Sequence, residues 1–396
     1  MARQEIRSLT GLRGLAAVFV MLYHFTGAGR SSDEPMLSGP QFLSHGYLSV
    51  DLFFVLSGFV MALTYRRMFV EASRTGVRGT LVALPVFLGH RIARIYPLYI
   101  VMTLLAAVVH AFGVGHADPI PNFVTTLVAN VFMVQAWGLA QSIVWPAWSI
   151  STEWGSYLVF PLLLALCVTG TRVLAWVVGL AAAAALVLLA TTDAFGGPFE
   201  DRMGQLDIWQ HTSIAPLLRC VAGFVFGLLT YRVYRRASAS LLRALAAVSP
   251  LVLAMMVASC LWPDTDLVWV ALVPLLILGL ATDRGFVAQA LGWAPLHQLG
   301  VLSYAVYLVH PRLTKLATAG GAALKARDIP FANAIAVLVA VTLVITAAYM
   351  AHRLVEVPGR RWLRRGFDRF TRTRASVLAG SIPASATSTG NSLSKN

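Results

Sequence analysis

Apolar residues in this chain fall into long blocks, not into alternating strand patterns or one-sided helical stripes. Candidate blocks run near 10–28, 47–66, 93–113, 152–169, 173–191, 213–231, 243–262, 267–282, 298–315 and 331–352. These lengths lie close to the roughly 17–25 residues that carry a helix across a hydrocarbon core of about 30 Å. Inside lipid every backbone polar group needs an internal partner, so such blocks read as helices. The pattern therefore predicts an all-α, polytopic membrane bundle of about ten transmembrane helices. A shorter stretch, 123–137, is followed by Gly138 and Pro146 and flanked by Trp137, Trp145 and Trp148. Tryptophan favours the membrane interface, so 123–148 is expected to be a re-entrant or interfacial segment. Residues 1–374 form one transmembrane domain on this reading. Residues 375–396, rich in Ser, Thr, Ala, Asn and Gly, form a disordered polar tail. The first block holds Arg13 and His24 and shows no convincing cleavage site, so it reads as a retained helix.

Composition supports this picture. The chain has 396 residues, 58% hydrophobic and 12% charged, against about 25% charged in soluble domains. The formal charge of +14 would fit a nucleic-acid binder, but the basic residues sit between apolar blocks and no nucleic-acid module accompanies them. Arg66, Arg67, Arg74, Arg78, Arg91 and Arg94 occupy the second connection. Arg232, Arg235, Arg236 and Arg243 occupy another, and Arg353, Arg360, Arg361, Arg364 and Arg365 follow the last block. Acids such as Asp118, Asp193, Asp207 and Asp264 fall in the alternate connections. Positive-inside bias then places both termini in the cytoplasm and leaves 123–137 uncrossed. Cys167, Cys220 and Cys260 have no metal-ligand or disulfide spacing and read as small buried side chains. No metal site is expected.

Polar residues inside apolar blocks are the functional candidates. Arg13 and His24 are eleven residues apart, about 16 Å along a helix and nearly in angular register. Arg13 reads either as a snorkelling anchor or as part of a polar track. His24 reads either as an interhelical hydrogen-bonding group or as a general base. Asp51 opens the second block and serves either as a cap or as a partner for a histidine or arginine across the bundle. Ser57 and Gly58 favour close helix packing. Arg91 and Arg94, placed at a helical start, share one face and suit phosphate binding, lipid headgroups or topogenic charge. Glu153 is expected near a helix N-terminus, with Ser149 or Ser151 as its cap and Tyr157 one turn on. Ser303, Tyr307 and His310 form an i, i+4, i+7 stripe beside Tyr304 that faces the bundle interior. By residue content alone, an enzyme and a transporter or flippase explain these groups equally well.

Five motifs in order resemble the acyltransferase-3 family of membrane acyltransferases. They are Gly11-Leu12-Arg13-Gly14 with His24, Val50-Asp51 through Ser57-Gly58-Phe59, Arg91-Ile92-Ala93-Arg94 before Pro97, Trp148-Ser149-Ile150-Ser151-Thr152-Glu153, and Ser303-Tyr304 through Tyr307 and His310. The resemblance implies transfer of an acyl group, commonly acetyl, from acyl-CoA to a hydroxyl of a sugar-containing acceptor. It also implies a bacterial cytoplasmic membrane, donor entry from the cytoplasm and an acceptor that can be extracytoplasmic. His24, Arg13 and Glu153 map onto its catalytic positions. Arg91 and Arg94, with Arg13, map onto donor binding. Asp51, Ser57, Ser151, Tyr157, Tyr304, Tyr307 and His310 are expected to line the cavity or bind the acceptor. After Glu153 this chain reads Trp154-Gly155-Ser156-Tyr157 where the family usually has an acid or amide followed by Phe-Tyr.

Overall fold

A computed structural model describes residues 5–25, 41–112, 120, 122–193, 202–210 and 213–367, without the side chains of 41 and 315–317. The expected tail at 375–396 lies outside the described residues. The helices are α1 (Arg7–Phe25), α2 (Ser49–Ser73), α3 (Gly76–Ala111), α4 (Phe123–Val131), α5 (Trp148–Leu158) and α6 (Phe160–Leu164). They continue as α7 (Arg172–Thr191), α8 (Ala215–Arg236), α9 (Ala239–Ser259), α10 (Asp266–Leu280), α11 (Phe286–Leu291), α12 (Ala294–Lys325) and α13 (Ala332–Ala351). Among the described residues the regular structure is helical throughout.

Seven helical stretches are long and apolar enough to cross a membrane. An eighth results if the pair Trp145–Leu158 and Phe160–Thr169, bent by 64°, counts as one span. This is fewer than the ten expected, and the shortfall has physical causes. The block at 267–282 forms only the 15-residue α10, about 22 Å long at 1.5 Å per residue. The block at 298–315 lies in α12, which is 32 residues long but carries His297, Gln298, His310, Arg312 and Lys325 along its length.

Two local expectations also change. The connection at 67–92 is mostly helix, because α3 begins at Gly76 and runs for 36 residues through Pro85 and Pro97. Arg91 and Arg94 therefore sit in the middle of a helix and not at its start. The stretch 123–148 contains only the nine-residue α4 and a 3-10 turn at Trp145–Ala147, so the sharp bend falls later, at 145–169. The irregular chain between them is tied into protein. Asn130 Nδ2 donates to the Gln141 carbonyl (2.9 Å), and its Oδ1 accepts from Ile143 N (3.1 Å). Trp137 Nε1 donates to the Ser151 carbonyl (2.9 Å). Such satisfaction is what permits irregular backbone at membrane depth.

Glycines set the two closest helix crossings. A Cβ on Gly14 would lie 2.5 Å from the Gly300 amide nitrogen, and one on Gly300 would lie 1.9 Å from the Thr10 carbonyl oxygen. A Cβ on Gly58 would lie 2.1 Å from the Phe224 carbonyl, and one on Gly227 would lie 2.0 Å from that of Val55. Small residues let backbones touch, so α1 seats on α12 and α2 on α8. The side chains of Arg13 and Ser57 are positioned by those crossings.

Candidate active site

A cavity of about 170 Å³ lies inside the bundle. α1 contributes Arg13, and α2 contributes Phe53, Phe54, Ser57 and Met61. α3 adds Arg91 and Arg94, α5 adds Ser149, Glu153 and Tyr157, and α12 adds Ser303, Tyr304 and Tyr307. Helices distant in sequence thus converge on three guanidiniums. Of the residues expected at the site, Asp51, Ser151, His310 and His24 do not line this cavity.

Each arginine has a distinct environment. Arg91 Nη2 donates to Tyr65 Oη (2.8 Å), and its guanidinium stacks 5.1 Å above the Tyr65 ring. Its Nε is buried with no hydrogen-bond partner, the kind of unsatisfied donor that needs an explanation in a native structure. Arg94 Nη1 donates to Glu356 Oε1, and its guanidinium lies over the Tyr304 ring. Glu356 is fully buried in a π-helical turn that continues α13, and its Oε2 accepts from His352 Nδ1 (2.9 Å). Arg13 makes no hydrogen bond among the described residues and lines the same cavity as Glu153. Three guanidiniums facing two carboxylates leave the region cationic.

Glu153 is not at a helix end. α5 starts at Trp148 with no side-chain cap, so the expected capping by Ser149 or Ser151 does not occur. Ser149 Oγ instead bonds the Pro146 carbonyl (3.1 Å) and Tyr307 Oη (2.8 Å), and Ser151 Oγ accepts from Ala136 N (3.1 Å). Tyr157 Oη donates to Glu153 Oε1 (2.5 Å) and meets Ser57 Oγ at 3.3 Å.

His24 and His310 form a second site. Their facing nitrogens, Nδ1 and Nε2, are 2.7 Å apart and the rings stack at 4.9 Å. Trp145 packs edge-on against His24 at 4.6 Å. Tyr307, one helical turn before His310, joins this pair to the cavity wall, and its Oη donates to the Pro146 carbonyl at 3.0 Å. Asp51 is elsewhere. It forms a two-point ion pair with Arg219 Nε (2.9 Å) and Nη2 (2.5 Å), both residues being buried. Of its expected roles, partnering an arginine across the bundle is the one found.

Reading the chain alone missed Arg219, Glu356 and His352. Glu356 had a signal, as the lone acid in the run from Arg353 to Arg365. Among the described residues no three His, Cys, Asp or Glu side chains gather as a metal-ligand set.

Fold and site together define a polytopic membrane protein with a cationic internal cavity. A family model described as an acyltransferase domain matches residues 6–353, and the chain belongs to this acyltransferase-3 family. It is an acyltransferase, and acyl-CoA is the co-substrate associated with the family. Acyltransferase MdmB of Streptomyces mycarofaciens is 31% identical over 380 residues, covering 91% of this chain and 93% of that protein. Protein 2 in the picA locus of Rhizobium radiobacter is 37% identical over 102 residues, 25% of this chain and 42% of that protein. No solved structure matches the chain.

Proposed function

We propose that this chain moves an acyl group, acetyl by preference, from acyl-CoA to a hydroxyl of a sugar-containing acceptor. The observation that carries the reading is the three-arginine cavity ending one helical turn short of the His24–His310 pair. The bundle sits in a bacterial cytoplasmic membrane with both termini in the cytoplasm, the arrangement that positive-inside bias favours.

The donor enters at the arginine end. The unpartnered Nε of Arg91 and the guanidinium of Arg94, steadied by Glu356, meet its phosphates. Arg13, which lines the same cavity as Glu153, extends positive charge along the path. The thioester then passes Phe53 and the Ser149–Tyr307 hydroxyls toward His24. His24 takes the proton of the acceptor hydroxyl as that oxygen bonds to the thioester carbonyl carbon. A cavity-lining N–H or O–H donor steadies the oxyanion. The carbon–sulfur bond breaks, and His24 returns the proton to the thiolate, releasing CoA as the free thiol. No acyl-enzyme is required.

Incubating the purified chain in liposomes with radiolabelled acetyl-CoA and a cell extract tests this reading. Label is expected in a product that glycosidase digestion converts to a labelled sugar. Label confined to free acetate, or to a product without a sugar, contradicts it.

A further inference from the structure

Next to His24 lies a cluster of half-buried aromatic rings. Trp145 touches His24, and Trp209 packs against Trp145 at 5.7 Å with a 61° tilt. His24, Trp145 and Trp209 all remain partly exposed. His310 Nδ1 faces the Val306 carbonyl at 3.1 Å and so carries its proton, which makes His310 Nε2 the acceptor. His24 Nδ1 is then the donor, and its Nε2 has no hydrogen bond among the described residues. The histidine with the open nitrogen touches Trp145, and Trp145 in turn touches Trp209.

The chain that presents Trp209 is held from several sides by buried charges. Arg202 Nη1 donates to the Leu189 carbonyl (3.1 Å). Asp266 Oδ2 accepts from Leu206 N (2.7 Å), while Tyr47 Oη donates to the same carboxylate (2.8 Å). Arg219 Nη1 donates to the carbonyl of Ile208 (3.1 Å), the residue before Trp209. Arg219 and Asp266 are fully buried. An indole that only marked the membrane interface would need no such fixation and would have no reason to meet a histidine-bound partner.

Resting on the acyl-transfer reading above, we propose that Trp145 and Trp209 form the acceptor platform, a stacking surface for a pyranose ring that delivers one hydroxyl to His24 Nε2. A pyranose has an apolar C–H face and a rim of hydroxyls. The faces of two indoles beside one open basic nitrogen match that division, since aromatic side chains pair an apolar body with a polar edge and binding sites add few polar groups to an apolar lining. A fatty alcohol would use the rings equally but would gain nothing from a fixed angle between them.

Cells lacking the gene are complemented with wild type, Trp209→Phe or Trp209→Leu. Untargeted mass spectrometry then follows glycans, lipids and secreted metabolites, with membrane content checked by immunoblot. Phe keeps a ring and Leu fills similar space without one, so both variants should retain the fold. Wild type and Trp209→Phe are expected to restore the same acylated sugar-containing product. Trp209→Leu is expected to lower the acylated-to-free ratio roughly tenfold, the size of one lost aromatic contact. Equal ratios for Phe and Leu, or an acceptor without a sugar ring, overturn the platform. If deletion removes no acylated product at all, the acyl-transfer reading itself fails.

Discussion

His310 Nε2 accepts a 2.7 Å hydrogen bond from His24 Nδ1 because the other nitrogen of His310 is committed to the Val306 carbonyl. One imidazole thereby fixes the tautomer of the other and leaves Nε2 as the basic nitrogen of His24. In the proposed mechanism His310 positions His24, and it is fully buried. His310→Ala is expected to lower kcat roughly a hundredfold while leaving KM for acyl-CoA near wild type. A rise in KM with kcat preserved would assign His310 to substrate binding.

The fully buried Glu356 pairs with the part-buried guanidinium of Arg94, which lines the cavity. Removing the carboxylate strands a guanidinium inside protein. Glu356→Ala is expected to cost about 3 kcal/mol, read as thermal unfolding in nanodiscs. The double variant Glu356→Ala/Arg94→Ala should cost less than the sum of the single variants. Additive losses would show that the two side chains do not support each other.

The α1–α12 contact leaves no room for a methyl group at Gly300. Gly300→Ala is expected to destabilise by about 1–3 kcal/mol, since the obstructing atom is the Thr10 backbone oxygen. Transfer should fall with it, because the same crossing aligns His24 with His310. At Gly320, in the same helix, an added methyl group would meet nothing within 4 Å, and Gly320→Ala should be neutral or slightly stabilising. Equal effects at both positions would contradict the packing argument.

Much of this was legible in the sequence and some was not. Block length gave the helical bundle, and the order of five motifs gave the residues that converge on the cavity: Arg13, Ser57, Arg91, Arg94, Glu153 and Tyr307. The His24–His310 contact joins residues 286 positions apart, and no local period encodes such a distance. Arg219 lay hidden in an apolar block, where one arginine looks like noise until Asp51 is seen opposite it. No side-chain cap marks the helical starts at Gly76 and Trp148, so neither end is visible in the sequence.

Asp207 lies in the segment between α7 and α8, where burial pushes its carboxyl above the usual carboxylate range against the opposing pull of Met203 N–H and Arg219. The folded state therefore favours the protonated form. Its contribution to stability is complete below the unfolded value of about 3.9 and is lost as pH rises through the higher folded value. Asp207→Asn imitates the protonated group and can still accept from Met203 N and Tyr23 Oη. Thermal unfolding across a pH series should show wild type losing ground to this variant as pH rises from acid toward neutral. Parallel curves would contradict the assignment.

In the proposed mechanism the imidazole at position 24 performs the proton transfer that couples acceptor attack to release of the thiol. That role is tested most directly by following free CoA thiol from the purified chain in liposomes, with its acceptor extract, for wild type and His24→Ala at equal folded amounts. Acceptor-dependent thiol release in wild type, falling by roughly 10²–10⁴ in the variant, is the expected result. Release at the wild-type rate from folded His24→Ala would contradict it.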